Sequence, residues 1–335
     1  MLHTAGMNRR HLMLGAGVLA ASYAVASAAK TDDSPALEPI DLSGVSILIT
    51  GCSSGFGRLG AEHYARLGAK VFATMRNLPR PEATELETLA ARENLDISVL
   101  EIDITKQHQV TAGVAAALDA TGGTLDVLIN NAGMALSGPI EAQDMIATHL
   151  LFDTNVYGAQ RMIRAALPAM RTQGHGLIFN VTSQLGRVII PGIGQYSPTK
   201  FALEALSEQL AYEVASHGIE VTIIQPGGYP TEIWAKQVDP SKALKSRLSD
   251  DVLQAYPRMT AGMGTQNNGG GNTDPMDIPR AIAKTIAQPA GSRPLRIALH
   301  PVARPQEAIN TVSAQVQRAM LEDSPYGPAV KSVLD

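Results

Sequence analysis

The feature that most restricts the fold of this chain is a regular alternation, from Val45 onward, of short apolar runs with longer amphipathic segments. The apolar runs are rich in β-branched residues and nearly continuous, which is typical of strands that are buried on both faces. Strands and helices that alternate in this way form a parallel sheet through right-handed crossovers, with helices on both faces. We therefore predict a doubly wound α/β fold with about seven strands in a single domain.

The predicted elements can be placed along the chain. Strands are predicted at 45–50, 70–75, 97–103, 127–130, 177–183, 221–225 and 295–299, and helices near 57–67, 81–93, 106–120, 142–171 and 196–217. Residues 228–277 break the alternation and include a Gly- and Asn-rich run at 262–272, so we expect an irregular insert there. A last amphipathic helix is predicted at 305–321, and the residues after Glu322 show no clear pattern.

Composition excludes several functional classes. With 335 residues, 45% of them hydrophobic, the chain can bury one large core. A net charge of −4 gives no basic surface for nucleic acid or for a polybasic contact with membranes. The single cysteine, Cys52, rules out an internal disulfide, and the 8 histidines form no pair at metal-ligand spacing, so we expect no metal site.

The N-terminal segment has the pattern of an export signal. Arg9 and Arg10 precede an apolar run at 12–21 that is too short for a comfortable membrane span, and two A-x-A patterns follow at 24–28. These features resemble a bacterial twin-arginine (Tat) signal, which predicts a signal peptide at 1–29, a polar linker at 30–42 and recognition by the Tat machinery. We expect a periplasmic protein with no stable membrane span after cleavage; an uncleaved anchor, a misassigned start codon and a cytoplasmic location are the alternatives.

A glycine-rich turn follows the first predicted strand. Residues 51–57 read Gly-Cys-Ser-Ser-Gly-Phe-Gly, and a helical pattern comes directly after them. Glycines let the backbone approach a pyrophosphate, and the start of a helix offers free N–H groups and a positive dipole to the anion. In this strand–turn–helix context we predict a Rossmann-type dinucleotide site; a tight turn with no ligand is the alternative.

A tyrosine and a lysine mark a second candidate site. Tyr196 and Lys200 are four residues apart, so they share one face of a helix, and Pro198 between them places Tyr196 near the helix start. A tyrosine has an ordinary pKa of about 10, and a nearby ammonium is expected to lower it, so that the phenol can exchange a proton with an alcohol or alkoxide. Ser183 is predicted to end a strand, where its hydroxyl can hold the substrate oxygen.

These motifs together resemble the short-chain dehydrogenase/reductase family. The turn has that family's spacing T-G-x-x-x-G-x-G, and the other motifs follow in the family's order: Asp103, Asn130-Asn131-Ala132-Gly133, Asn155, Ser183, Tyr196-x-x-x-Lys200, Pro226-Gly227 and Thr231. The resemblance covers roughly residues 43–300 and is specific because several independent motifs agree. The turn and the strand end at 73–77 are most similar to the branch that includes 17β-hydroxysteroid and retinol dehydrogenases.

The resemblance implies an NADP(H)-dependent oxidoreductase that interconverts an alcohol and a ketone or aldehyde. It assigns catalysis to Ser183, Tyr196, Lys200 and Asn155, the last through a bound water that relays protons by way of Lys200. It assigns the cofactor contacts to Gly51, Ser53, Ser54, Gly55, Phe56, Gly57, Arg76, Asp103, Ile104, Asn130, Asn131, Ala132, Gly133, Tyr196, Lys200, Pro226, Gly227 and Thr231. It also implies a homodimer or homotetramer. A non-catalytic sensor of NADP(H) redox state is the alternative function.

The end of the second predicted strand bears on the choice of cofactor. NAD enzymes place an acidic residue there to hold the ribose 2′-hydroxyl, but this strand ends Thr74-Met75-Arg76. A guanidinium pairs with a 2′-phosphate that a carboxylate would repel. By resemblance, Arg76 therefore favours NADP over NAD; a solvated arginine at a strand end is the alternative.

The insert at 228–277 resembles the segment that covers the substrate in this family. It carries Tyr229, Trp234, Tyr256 and Met259, and we assign Tyr229 and Trp234 to the substrate site together with Ser183. The apolar character of the insert predicts a hydrophobic substrate, such as a steroid-like alcohol or ketone. The alternative is that these residues pack the insert onto the body. The catalytic domain at 43–300 is followed by a helical extension at 301–335.

Overall fold

In the computed structural model, which describes residues 40–266 and 269–334, seven parallel strands form one sheet. The strands are β1 (Ser46–Ile49), β2 (Lys70–Met75), β3 (Ile97–Glu101), β4 (Val127–Asn130), β5 (Gly176–Val181), β6 (Ile219–Pro226) and β7 (Arg296–Leu299). Their order across the sheet is β3-β2-β1-β4-β5-β6-β7, and every neighbouring pair is parallel. This confirms the predicted doubly wound, single-domain fold. The predicted signal at 1–29 and the linker up to residue 39 lie outside the described residues.

Helices connect the strands and cover both faces of the sheet. They are α1 (Gly55–Arg66), α2 (Pro81–Glu93), α3 (Gln107–Asp119), α4 (Met145–Phe152), α5 (Gly158–Gln173), α6 (Tyr196–Val214), α7 (Ile233–Lys236), α8 (Val238–Lys245), α9 (Asp250–Ala255), α10 (Pro257–Ala261), α11 (Asp277–Ile286), α12 (Gln306–Leu321) and α13 (Gly327–Leu334). Among these described helices, none combines the length and the apolar character needed to cross a bilayer.

The sheet separates two hydrophobic cores. Helices α1, α2 and α11 pack on one face, and α3, α5 and α6 pack on the other. Successive side chains of a strand point to opposite faces. Ile47 and Ile49 of β1 therefore enter the first core, whereas Leu48 enters the second. A strand that serves two cores must be apolar at every position, which is why the sequence shows continuous rather than alternating apolar runs.

The strand order reverses between β1 and β4, and this reversal positions the site. The chain leaves β1 toward β2 on one side and later returns to β4 on the other side. In open parallel sheets the crevice for a ligand lies outside the carboxyl ends of the strands at such a point. The turn after β1 and the segment after β4 meet there, through hydrogen bonds between Thr50 and Asn131.

The helix predicted near 142–171 is present over residues 145–173, but it contains one π-helical turn that the apolar pattern did not predict. Helix α4 ends at Phe152, a π-helical turn spans Asp153–Tyr157, and α5 begins at Gly158. A π turn inserts one residue into an otherwise helical pattern, so apolar spacing does not reveal it, and such turns are frequent at functional sites. This turn carries Asn155, which is buried.

The insert contains more regular structure than its composition predicts. Residues 228–277, expected to be irregular, include the four short helices α7 to α10. Two glycines of the run at 262–272 allow close packing: a Cβ on Gly269 would clash with Trp234, and a Cβ on Gly270 would clash with the backbone of Tyr229. The tail without a clear sequence pattern also forms a helix, α13, which packs against α6.

Candidate active site

The glycine turn after β1 leaves room for a ligand close to the backbone. Gly51 has a φ of 78°, in the left-handed region, and a Cβ there would lie 2.9 Å from the Cα of Ala132. A Cβ on Gly57 would clash with the carbonyl oxygen of Gly51. The Ser54 side chain does not cap α1, so N–H groups of the first helical turn remain available to an anion. This cradle fits the pyrophosphate of a dinucleotide.

Thr50 joins the two strands on which the site is built. Its Oγ1 accepts hydrogen bonds from the backbone N–H groups of Asn131 and Ala132, both at 3.0 Å. Its carbonyl oxygen accepts from Asn131 Nδ2 at 2.8 Å. Sequence reasoning did not assign a role to Thr50, although its place directly before the first glycine was a usable signal. It fixes the segment at 131–133 against the glycine turn.

Ser183, Tyr196 and Lys200 meet beyond the carboxyl end of β5. Tyr196 is the first residue of α6, and the Ser183 side chain is close enough to its phenol to lower the pKa of that phenol. Lys200 Nζ lies 5.6 Å from the centroid of the Tyr196 ring and donates to the carbonyl oxygen of Val181 at 3.0 Å. Because β5 ends at Val181, Ser183 lies two residues beyond the strand rather than closing it. Its Oγ also accepts from the N–H of Leu185 at 3.1 Å.

Burial dominates the proton affinities of these groups. Burial raises the pKa of Tyr196, and the hydrogen bond from Ser183 offsets this only in part. Burial also lowers the pKa of Lys200 to about 8, against the opposing effect of the Glu204 carboxylate. The expected net lowering of the Tyr196 pKa is not found for the protein's own groups, because desolvation of the phenol outweighs the favourable interactions at the site. A further positive charge at the site would act to lower the pKa of Tyr196.

Asn155 connects the segment after β4 to helix α6. Its Nδ2 donates to the carbonyl oxygen of Met134 at 2.9 Å and to Thr199 Oγ1 at 3.0 Å, and its Oδ1 accepts from the N–H of Met134 at 2.8 Å. A Cβ on Gly133 would lie 3.3 Å from Asn155 Oδ1 and 3.6 Å from Lys200 Nζ. Both donors of the Asn155 side chain are thus occupied, and the side chain holds the site together. Its part in a proton relay through water stays a prediction.

Several cations surround the end of β2. Arg76 is exposed and lines a cleft with Arg80 and Glu82. Arg80 is paired with Glu82 at 2.8 Å, whereas no acidic side chain in the described part of the chain pairs with Arg76. Lys236, from α7 of the insert, reaches the glycine turn and donates to Ser54 Oγ at 2.5 Å. Glu85 lines the same cleft, so its two guanidinium groups face two carboxylates, and Lys236 adds a third cation nearby.

Lys236 is a candidate functional residue that sequence reasoning missed. Partial burial, Arg80 and, more weakly, Arg76 lower the pKa of Lys236, while Glu232 and Glu82 raise it. The two guanidinium groups and the ammonium therefore share one region. No motif marked Lys236, because it lies far from the turn in sequence and inside a segment that has no periodic pattern.

Other predicted cofactor residues have structural partners of their own. Asp103 Oδ1 accepts hydrogen bonds from the backbone N–H and the hydroxyl of Thr105, at 2.9 and 2.7 Å. Ile104 is buried in the second core. Asn130 is buried too, and it donates to Asn180 Oδ1 at 2.9 Å. The side chains of Ile104 and Asn130 thus have structural roles inside the protein.

The segment after β6 packs against the end of the sheet and against the glycine turn. Pro226 ends β6, and a Cβ on Gly227 would clash with the ring of His300. A Cβ on Gly55 would lie 3.5 Å from Thr231. The insert therefore begins beside the cradle, which explains how Lys236 reaches it.

The two insert aromatics assigned to the substrate have packing contacts. Tyr229 is only 2% exposed, and its ring makes edge-to-face contacts with Phe56 at 5.6 Å and His300 at 5.9 Å. Trp234 Nε1 donates to the carbonyl oxygen of Tyr229 at 2.8 Å. These contacts favour the alternative role, in which both residues pack the insert onto the body.

Tyr256 and Met259 lie elsewhere on the insert. Tyr256 donates to Glu141 Oε2 at 2.7 Å. Met259 is partly exposed, and its Cγ lies 3.8 Å from the position that a Cβ on Gly192 would occupy. This part of the insert therefore faces the segment between β5 and α6, which carries Ser183.

Comparison with known proteins identifies the family. Residues 46–242 match the family described as short chain dehydrogenase. The chain belongs to the short-chain dehydrogenase family. This confirms the resemblance found in the sequence. The dehydrogenase is 35% identical over 235 residues to the uncharacterized oxidoreductase YusZ of Bacillus subtilis (strain 168), a match covering 69% of the chain and 80% of YusZ. It is 37% identical over 198 residues to human retinol dehydrogenase 8, covering 57% of the chain and 61% of that relative.

Solved structures share the fold of this dehydrogenase. A short-chain dehydrogenase/reductase from Burkholderia phymatum in complex with NAD has a TM-score of 0.65 at 23% identity, covering 86% of this chain and 98% of that one. A metagenomic short-chain oxidoreductase in complex with NADP has a TM-score of 0.61 at 22% identity, and the match covers 78% of this chain and 99% of that one. At these identities the similarity establishes the fold.

Proposed function

We propose that this dehydrogenase interconverts an alcohol and a ketone or aldehyde with NADP(H), and that Tyr196 acts as its general acid and base. The observation that carries the proposal is the meeting of Ser183, Tyr196 and Lys200 beside Gly133, with Ser183 and Lys200 buried and Tyr196 half-buried. A proton donor, a hydroxyl for the substrate oxygen and a cation are what carbonyl reduction needs from the protein. The glycine cradle at the same edge of the sheet leaves room for the dinucleotide to bind.

Each of these side chains has a separate task. When bound, the nicotinamide nucleotide supplies the hydride in reduction and accepts it in oxidation. Ser183 Oγ holds the substrate oxygen, and the Tyr196 hydroxyl donates its proton to that oxygen in reduction and removes it in oxidation. Lys200 places a positive charge beside the phenol. Asn155 keeps the segment after β4 in position against α6.

The preference for NADP rests on the charges at the end of β2. A 2′-phosphate carries extra negative charge, and guanidinium and ammonium groups bind it through charge-assisted hydrogen bonds. Arg76 is exposed and not paired with an acid in the described residues, and Lys236 adds a second cation from the insert. The residue that would hold a ribose 2′-hydroxyl in an NAD enzyme is acidic, and here that position is Arg76.

We propose a hydrophobic substrate. Ile189 and Ile190, between Ser183 and Tyr196, are 71% and 50% exposed. Met259 of the insert faces the same segment. Exposed apolar side chains beside a buried polar site suit a ligand with an apolar body and one oxygen. The name of one relative, retinol dehydrogenase 8, indicates a substrate of this kind.

A turnover screen tests the proposed function. Purified protein is supplied with apolar ketones and aldehydes together with either NADPH or NADH, and cofactor oxidation is followed by absorbance. We expect turnover with NADPH and slower turnover with NADH. Since reduction needs Lys200 as an ammonium and its pKa is lowered to about 8, the rate should fall as the pH rises through that value.

The same screen distinguishes the alternative function. If NADPH binds tightly but no carbonyl is reduced over a wide panel, the redox-sensor interpretation replaces the enzyme. A rate that stays constant well above pH 8 contradicts the role given to Lys200.

We further propose that the N-terminal segment exports this dehydrogenase through the Tat route to the periplasm. The support is the pair Arg9 and Arg10 before an apolar run. Because that route moves folded proteins, the dinucleotide can travel bound to the enzyme. Changing both arginines to lysine should move the protein from the periplasmic to the cytoplasmic fraction on immunoblots, with a cytoplasmic marker as control. An unchanged distribution contradicts Tat export.

A further inference from the structure

Glu204 is a buried carboxylate on α6, one helical turn beyond Lys200. It is 1% exposed. Its Oε1 accepts from Thr182 Oγ1 at 2.7 Å and from Gln225 Nε2 at 2.9 Å, and its Oε2 accepts from Arg296 Nε at 2.9 Å. Burying a carboxylate costs free energy unless it is paired and hydrogen-bonded. Here partners from β6, β7 and the end of β5 hold it in place.

This carboxylate is joined to the strand end that carries the reacting hydroxyl. Thr182 stands between Ser183 and Val181, whose carbonyl oxygen accepts from Lys200. A Cβ on Gly186 would lie 3.0 Å from Glu204 Cγ and 3.1 Å from the carbonyl oxygen of Lys200. The segment after β5 therefore packs directly on this turn of α6, and Glu204 ties the two elements together.

Among the charged groups around Lys200, Glu204 is the acidic residue that lies nearest to it along α6. The titratable groups near this turn are Tyr196, Glu204 and Glu208 on α6, Arg296 on β7 and Arg187 between β5 and α6. Arg296 also binds Glu208 Oε2, at 2.5 Å, so its charge is shared between two carboxylates. Residues four apart on a helix are neighbours, which puts Glu204 closer to Lys200 than Glu208 is. In agreement, the Glu204 carboxylate raises the pKa of Lys200 against the effect of burial.

We infer that Glu204 is a positioning residue for the proposed reaction, which keeps Lys200 charged at neutral pH and fixed beside Tyr196. The inference rests on the proposed function. The Glu204 carboxylate is occupied by Thr182, Gln225 and Arg296, so it acts through Lys200 rather than on substrate or cofactor. It sets the upper end of the pH range over which Tyr196 can protonate a carbonyl oxygen.

The variant Glu204→Gln tests this inference, because glutamine keeps the size and much of the hydrogen bonding while it removes the charge. We expect the alkaline limb of kcat/KM for carbonyl reduction to move about one pH unit lower than in wild type. The matched control is Glu208→Gln, which removes a charge from the same Arg296 network but lies one turn further from Lys200. Its alkaline limb should stay close to that of wild type.

A second measurement reads the charge of Lys200 without turnover. The Cε signal of Lys200 in ¹³C-lysine-labelled protein is titrated by NMR and is assigned through its absence in Lys200→Arg. We expect the pH midpoint of this titration to fall in Glu204→Gln. It should fall less in Glu204→Asp, because the shorter side chain keeps the negative charge but holds it farther from Lys200. Glu204→Asp decides the question if Glu204→Gln does not fold.

The outcomes separate the two proposals. An unmoved alkaline limb and an unmoved midpoint in the Glu204 variants of an active enzyme overturn the inference alone. An equal shift in Glu208→Gln also overturns it, because the effect would then belong to the whole network. Absence of turnover in wild type overturns the proposed function, and the NMR titration still decides the role of Glu204.

Discussion

Replacing Tyr196 by phenylalanine is expected to lower kcat for carbonyl reduction by about 10²- to 10⁴-fold, the usual contribution of a positioned general acid. Tyr196 begins α6, and the Ser183 side chain acts on its phenol. The substitution therefore removes the proton donor while the ring and the helix remain. Single-turnover kinetics with saturating NADPH measure the chemical step directly. Circular dichroism melts should show a loss of only about 1 kcal/mol, the net value of one hydrogen bond.

The control for this experiment lies on the same helix. Tyr212 is a tyrosine of α6 whose hydroxyl donates to Glu208 Oε1 at 2.6 Å. Tyr212→Phe also removes one phenolic hydrogen bond, but away from the site, so kcat should change little. If Tyr196→Phe turned over at the wild-type rate, the protonation step would have to be assigned to another group.

Removing the cations at the end of β2 is expected to change the choice of cofactor. Each hydrogen bond to a charged group contributes about 1.5–3 kcal/mol, so Arg76→Ala and Lys236→Ala should each raise the Kd for NADPH by about 10- to 100-fold. The double variant should lose more than either single variant. The Kd for NADH should change little, since that cofactor has no 2′-phosphate. Fluorescence titration of wild type and the three variants with both nucleotides measures these Kd values.

Lys284→Ala provides the matched control, because Lys284 is an exposed lysine of α11 outside this cluster. It removes the same net charge, and neither nucleotide should bind more weakly. A loss of NADPH and NADH affinity by the same factor in Lys236→Ala would contradict the assignment, because Lys236 would then contact a part that both cofactors share.

Local patterns in the sequence were sufficient to predict the fold and much of the site. The glycine turn and the apolar runs are short motifs whose conformations are set by residues close in sequence. Such motifs can be recognised without tertiary information, and β2 and β4 have the predicted bounds. Tyr196 and Lys200 are linked by helical spacing alone. The π turn around Asn155 was not predictable, because one extra residue in a helix leaves the apolar pattern nearly unchanged.

Tertiary contacts and burial account for what the sequence did not reveal. Lys236 approaches Ser54 only because the insert folds back over the turn. The motif did not reveal the pKa values either, because spacing places an ammonium near the phenol but does not show how strongly the surrounding protein desolvates the two groups. For Tyr196 and Lys200, burial proved to be the larger effect.

Thr50 has a consequence for how a ligand is received. Its hydroxyl holds the backbone of Asn131 and Ala132 against the turn that begins at Gly51. The phosphate end and the reacting end of the crevice are therefore set at a fixed separation in the protein itself. A molecule that spans both ends meets a preorganised groove, so little of its binding free energy goes into rearranging the backbone.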